Sequence, residues 1–160
     1  YSCPESPPPV LVSGFGPKST ALAARAGDGF VSTKPEASSV EHYRSEGGSG
    51  PAVGAVKVCW GPDEAAAVKL AHERWRSEAL PGQLAQELPV PAHFEQASTL
   101  VTQDMVAESV SCGPDPQRHA DAIAAYFDAG FDEVYVNQIG DDQAGFFDVF
   151  AREIRPRLGL

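Results

Sequence analysis

The chain has 160 residues, of which 12 are Lys or Arg and 22 are Asp or Glu, for a formal net charge of −10 at neutral pH. Its length suits one domain, residues 1–160, and its 42% hydrophobic content is enough to bury a core. The basic residues are scattered, which excludes a surface built to neutralise a nucleic-acid backbone or an anionic membrane; the expectation is an acidic cytoplasmic protein with neither as partner.

The chain opens at Tyr1, and "YSCPESPPP" leads directly into the first apolar run, as a processed or truncated chain would. Val10 to Ser13 reads as a short buried strand between prolines and glycine. Pro17 suits a first helical position and Gly27 a helix stop. Gly29 to Thr33 is the second strand, closed by Pro35, and Glu36 to Arg44 a brief helix before the flexible "SEGGSGP". The third strand, Ala52 to Trp60, carries the β-branched Val53, Val56 and Val58. Pro62 is expected to open a helix with Val68, Ala71 and Trp75 on its buried stripe. From Leu80 to Pro91 the prolines predict a break in regular structure, an insertion or long connection. Asp115 is then the N-cap of a helix with Pro116 at its first position and Ala120, Ile123, Ala124 and Phe127 inward. Gly130 ends it. "DEVYVNQIG" is the fourth strand, and "QAGFFDVFAREIRPRL" a closing amphipathic helix with Phe147, Phe150 and Ile154 inward.

Strands alternating with helices imply an α/β protein of parallel strands joined by right-handed crossovers. Four such units make half of a (β/α)8 barrel, and a compact doubly wound sheet is the alternative. In both, the turn after a strand's carboxyl end lies on the ligand side. The Ser13-Gly14-Phe15-Gly16-Pro17 corner is therefore a candidate anion cradle, because main-chain N–H groups and a helix dipole meet at such a turn. Its pattern, G-x-G-P-K-S, lacks the third glycine of the dinucleotide fingerprint and the spacer of a P-loop. A plain strand-to-helix corner explains the glycines equally well.

Other chemistry-bearing residues form no motif. Cys3, Cys59 and Cys112 are distant in sequence and outside any CxxC pattern, so Cys59 and Cys112 read as small buried hydrophobes. His42, His72, His93 and His119 lack metal-ligand spacing; His72 and His119 are expected on helix surfaces. No metal site is expected.

"PPPVLVSGFGPKSTALAARAGDGFVST", "GPAVGAVKVCWGPDEAAAV" and "GFDEVYVNQIGDDQAGFFDVFAREIRPRL", in that order, resemble the bacterial-luciferase-like superfamily, and most closely its F420-dependent oxidoreductases. The resemblance covers strands five to eight, the C-terminal half of that family's (β/α)8 barrel. It implies the deazaflavin coenzyme F420, or FMN in sister branches, with the cofactor's phosphate-bearing tail on Ser13, Gly14, Phe15, Gly16 and Pro17 and with Lys18 as a helper charge. It also implies that the catalytic residues lie in an N-terminal half-barrel, so that this chain alone does not turn over a substrate. Thr33, Asn137 and Gln138 are candidates for the wall that meets a small-molecule substrate, or else strand-end side chains capping the next loop. The sugar-phosphate branch of the family wants a second lysine where Glu108 falls and an arginine where Ala144 and Gly145 stand, so glucose 6-phosphate is not the expected substrate. The reading is thus half of an F420-dependent oxidoreductase that moves a hydride between F420 and a small organic molecule. Its alternatives are an FMN-dependent monooxygenase and a non-catalytic α/β assembly protein. The expected partners are the missing half-barrel or a second copy.

Overall fold

The computed structural model describes residues 4–82 and 84–160; Tyr1 and Cys3 lie outside the described residues. Strand β1 (Leu11–Ser13) leads into helix α1 (Pro17–Ala26), β2 (Gly29–Ser32) into α2 (Ala37–Ser45), and β3 (Ala52–Trp60) into α3 (Glu64–Trp75). A 3-10 turn (Arg76–Ala79) and three short helices follow: α4 (Leu84–Glu87), α5 (Pro91–Ser98) and α6 (Gln103–Ser109). Strand β4 (Ser111–Gly113), α7 (Pro116–Asp128), β5 (Glu133–Gln138) and α8 (Gln143–Val149) complete the alternation. Helix α8 runs on through a π-helical turn (Phe150–Ile154) into α9 (Arg155–Arg157).

The pairs β1–β2, β2–β3 and β3–β4 are parallel, and β5 also pairs with β3. The chain forms two compact units, one of residues up to Val56 with Ile123–Val136, the other of Lys57–Ala122 with Asn137–Leu160. Strand β3 runs through both. Its Ala52–Gly54 segment pairs with β2 in the first unit, and Val58–Trp60 pairs with β4 in the second.

The first unit is centred on aromatic rings. Phe30 of β2 is fully buried and stacks on Tyr43 of α2 with centroids 5.3 Å apart, and Tyr126 meets Phe131 edge-on at 5.5 Å. Gly54 lets Tyr126 lie against β3, because a Cβ there would fall 2.3 Å from the ring. The Tyr126 hydroxyl then donates to Thr33 O (2.8 Å) and Ala55 O (3.2 Å). At the strands' opposite end, Asp132 accepts from Ala52 N and from Arg44, both at 2.7 Å.

In the second unit, β3 and β4 contribute Cys59 and Cys112 to a core with Ala67 and Ala71 of α3, Val106 of α6, and Ile139. Burying a valine such as Val106 (1% exposed) contributes about 1.5–3 kcal/mol. Trp75 and Phe94 pack against this core, so α3 buries the stripe its spacing predicts.

Several local expectations are corrected. Helix α3 begins at Glu64, because Asp63 is its cap, accepting from Ala66 N at 2.7 Å, and Pro62 stays outside. A fifth strand, β4, precedes α7; at three residues it has no periodicity to read. The Leu80–Pro91 segment is not wholly irregular, since it contains α4 and ends where Pro91 starts α5. On α7 the buried positions are His119, Ala120, Ile123 and Tyr126, whereas Ala124 and Phe127 are half-buried. His119 is therefore a core residue. In the last helix Phe146 is buried and Phe147 is 65% exposed. The wide π turn adds a residue, so Phe146 rather than Phe147 shares a face with Ile154.

Candidate functional site

The corner after β1 is built by its backbone. Ser13, exposed, ends β1 in register with Val31, and Gly14 extends the ladder by donating its N–H to Val31 O at 3.1 Å. Gly14 must be glycine-small, because a Cβ would sit 2.9 Å from Thr20 N and 3.1 Å from Thr20 Oγ1. Gly16 is extended (φ −156°, ψ 168°) and caps α1, whose first residue is Pro17. The N–H groups of Phe15 and Gly16 both donate to Ser19 Oγ, at 3.2 and 3.3 Å, and that hydroxyl donates to Gly16 O at 3.0 Å. Thr20 N–H donates to Gly16 O, and Pro17 has no N–H, so Lys18 and Ser19 carry the first-turn amides without an intrahelical partner.

Beside Gly16 the space is open: a Cβ there would meet nothing within 4 Å. His42 of α2 donates from Nε2 to Pro17 O at 3.1 Å. No acidic residue stands in the first turn of α1, and Lys18 is exposed on it. Thr33, just past β2, is exposed, and its carbonyl holds the Tyr126 hydroxyl. An anion fits this corner by taking the acceptor position that Ser19 Oγ fills, with the Lys18 charge on the same turn.

The end of β5, in the second unit, is built differently. Asn137 is exposed, whereas Gln138 is 8% exposed. Trp60 N–H donates to Gln138 Oε1, and Gln138 Nε2 donates back to Trp60 O, both at 2.9 Å. One buried side chain thus replaces a missing pair of ladder bonds at the end of β3. Arg74 donates to Ile139 O (2.8 Å) and pairs with Asp141 (2.6 Å), and Asp142 caps α8 by accepting from Gly145 N (2.8 Å). A cavity of about 220 Å³ in this unit is lined by Trp60, Pro62, Asp63, Leu70, Asp141 and Asp142, with the buried Cys59 directly behind its wall. Three carboxylates make it a poor seat for a phosphate.

His119 lies wholly buried between Ser111 Oγ, 2.9 Å from Nδ1, and Gly113 O, 2.9 Å from Nε2. A carbonyl only accepts, so Nε2 carries the proton and the Ser111 hydroxyl donates to Nδ1. Burial pushes its pKa below the ordinary histidine value, against the Gly113 bond, which favours the charged form. Such a ring ties β4 to α7 and has no open nitrogen for proton transfer. Among the described residues, no three His, Cys, Asp or Glu side chains cluster as metal ligands would, and no helix is long and apolar enough to cross a membrane.

The profile of the luciferase-like monooxygenase family matches residues 1–133. The chain belongs to this family. Among its luciferase-like relatives, the F420-dependent glucose-6-phosphate dehydrogenase of Beutenbergia cavernae is 30% identical over 173 residues, covering 99% of this chain and 51% of the relative. The enzyme of the same name from Nocardia farcinica is 26% identical over 172 residues with the same coverage. The chain spans about half the length of the curated relatives it matches. An F420-dependent secondary alcohol dehydrogenase, solved in complex with an F420–acetone adduct, superposes with a TM-score of 0.79 at 21% identity, covering 99% of this chain and 51% of that one. The α/β fold with its parallel sheet therefore matches half of the luciferase-like (β/α)8 barrel.

Three roles in this luciferase-like half are not evident from residue patterns. Ser19 gathers two corner amides; its position three residues after a glycine cap is the available signal. Gln138 completes the end of β3, and nothing local announces a partner so distant in sequence. Cys59 and Cys112 stand directly opposite each other in β3 and β4, a register that only the tertiary fold supplies.

Proposed function

We propose that this chain contributes the cofactor-tail site of a cytoplasmic F420-dependent oxidoreductase, acting with an N-terminal half-barrel that supplies the catalytic residues. The observation that carries this reading is the convergence of the Phe15 and Gly16 amides on one acceptor position, at the start of a ten-residue helix beside an open glycine. The setting is a chain 30% identical to an F420-dependent relative. The Phe15 and Gly16 amides, with those of Lys18 and Ser19 in the first turn, would hold a phosphate oxygen of the F420 tail at the position that Ser19 Oγ fills. Ser13 and Gly14 set the direction of the corner, and Pro17 fixes the helix start. When bound, F420 supplies a deazaflavin C5 that gives or takes a hydride.

Thr33 in the first unit and Asn137 in the second are exposed polar residues at the carboxyl ends of their strands, and each serves as a substrate contact of its own unit. Gln138 supports the Asn137 contact by holding the Trp60 backbone. The substrate is a small organic molecule without a phosphate, because the loop after β5 presents Asp141 and Asp142, and the Arg74 beside it is paired with Asp141.

The test is fluorescence titration of the chain, co-produced with an N-terminal half-barrel, with F420 and separately with FMN. Saturable F420 binding that weakens at least tenfold in Gly16→Val supports the proposal. Binding of FMN in place of F420 assigns the complex to the monooxygenase branch, and binding of neither favours a non-catalytic assembly role.

A further inference from the structure

We propose that Cys59 and Cys112 form a redox-responsive dithiol that hydrogen peroxide closes to a disulfide across β3 and β4. The inference is independent of the cofactor and rests on register. Cys59 and Cys112 are direct partners in the parallel β3–β4 pair, between Val58↔Ser111 and Trp60↔Gly113. Neighbouring strands lie about 4.8 Å apart, and disulfides span Cα separations of about 4.4–6.8 Å, so the bond forms without moving either strand far. Both side chains are fully buried in one core.

The two sulfurs are not equivalent. Interaction with the neighbouring Cys112 lowers the Cys59 pKa and raises that of Cys112, and the Arg74 guanidinium further favours a Cys59 thiolate. Cys59, fully buried, stands directly behind the wall of the cavity of about 220 Å³, whereas Cys112 does not border it. A water molecule occupies roughly 30 Å³ in the liquid, so the cavity admits an oxidant of peroxide size. Cys59 is therefore the nucleophile and Cys112 the resolving thiol.

The chemistry balances in two steps. The Cys59 thiolate attacks one peroxide oxygen, the O–O bond breaks, and hydroxide leaves and takes up the former Cys59 proton as water; Cys59 is now a sulfenic acid. Cys112 sulfur attacks Cys59 Sγ, the S–O bond breaks, and the departing hydroxide takes the Cys112 proton. Two thiols and one peroxide give one disulfide and two waters. The bond closes a covalent loop containing α3, α4, α5 and α6, and fastens the three-residue β4, otherwise held by backbone pairing and the His119 contacts.

The experiment uses the chain with Cys3→Ser, which removes the third thiol, treated with graded hydrogen peroxide well below its melting temperature. It is then denatured, alkylated and mapped by peptide mass spectrometry. The expected result is loss of both alkylation sites, a peptide joining Cys59 to Cys112, and full recovery with dithiothreitol. Two alkylatable thiols at peroxide levels that oxidise glutathione in the same tube overturn the proposal, as does sulfinic acid without a crosslink. In single variants, dimedone should trap a sulfenic acid on Cys59 in Cys112→Ala, with at least a tenfold slower reaction of Cys112 in Cys59→Ala. The reverse order overturns the assignment of the nucleophile.

Discussion

The corner after β1 and the end of β5 both lie where a strand's carboxyl end turns towards a helix, yet they treat their polar groups in opposite ways. At the corner, two amides share one replaceable hydroxyl, the glycine beside them faces open space, and the local cation has no carboxylate on its turn. At the end of β5, the Gln138 amide is engaged at both ends, Ile139 O and Asp141 are held by Arg74, and Asp142 is a helix cap. A ligand can exchange for Ser19 Oγ at little cost, since hydrogen bonds broken are remade. Nothing comparable can be exchanged at Gln138 without leaving main-chain groups unpaired. Residues of similar polarity at equivalent topological positions thus divide into a corner whose acceptor is exchangeable and a joint whose partners are fixed.

The largest effect that would break this contrast is at the joint. Gln138→Leu keeps the side chain's bulk but removes the acceptor for Trp60 N–H and the donor for Trp60 O. It should lower unfolding stability by about 2–3 kcal/mol, read from urea titration with an unchanged m-value. Gln138→Glu retains the acceptor and loses the donor, so it should fall between wild type and Gln138→Leu. A fully stable Gln138→Leu protein with altered ligand binding would mean that Gln138 belongs to the substrate wall after all.

The same contrast explains what can be read from the residues alone. Helix α1 and strand β3 are legible to within a residue, because proline, glycine and β-branched side chains act locally. The Ser13–Pro17 corner is legible for the same reason: glycine positions report backbone demands directly. The roles of Gln138, His119 and the cysteine pair are set by partners elsewhere in the fold. His119 shares the stripe of Ile123 and Tyr126, but a histidine on a stripe looks the same whether it faces solvent or core. Strand β4 is shorter than any period, and the π turn that exposes Phe147 leaves no mark in the hydrophobic pattern.

At the corner, Ser19→Ala removes the hydroxyl that Phe15 and Gly16 amides share. A lost cap-like contact of this kind costs about 1 kcal/mol, measurable as a lower urea midpoint. Phosphate affinity should hold or rise by up to about fivefold, because every 1.4 kcal/mol is tenfold and the competitor has gone. A drop in affinity would show that the hydroxyl itself is a ligand and that the corner is less preformed than its geometry implies.

His119 extends the saturated class, and pH sharpens the point. Its folded pKa is depressed mainly by burial, so in the window below the unfolded value of about 6.5 the unfolded chain binds more protons than the folded one. The ring's contribution is complete above that pH and is lost progressively as pH falls towards the folded pKa. Thermal midpoints should decline through this window, and His119→Gln, which keeps a donor available for Gly113 O, should flatten the decline. An equal slope in the variant would transfer the effect to the carboxylates.

The smallest effect tests whether the corner is poised for an anion at all. Lys18 stands in the first turn of α1, where the helix dipole disfavours a cation, and no acidic residue of that turn offsets it. For the free protein the residue is therefore slightly unfavourable, and Lys18→Ala should raise the thermal midpoint marginally. With a phosphate group at the corner the sign reverses: the variant should bind it about two- to fivefold more weakly at low ionic strength. That difference should vanish near ~1 M salt, where the screening length falls to about 3 Å. Opposite signs for stability and affinity at one exposed residue would mark a position arranged for binding. Equal affinity at low salt would leave the amides as the whole of the site and Lys18 as a solvated side chain.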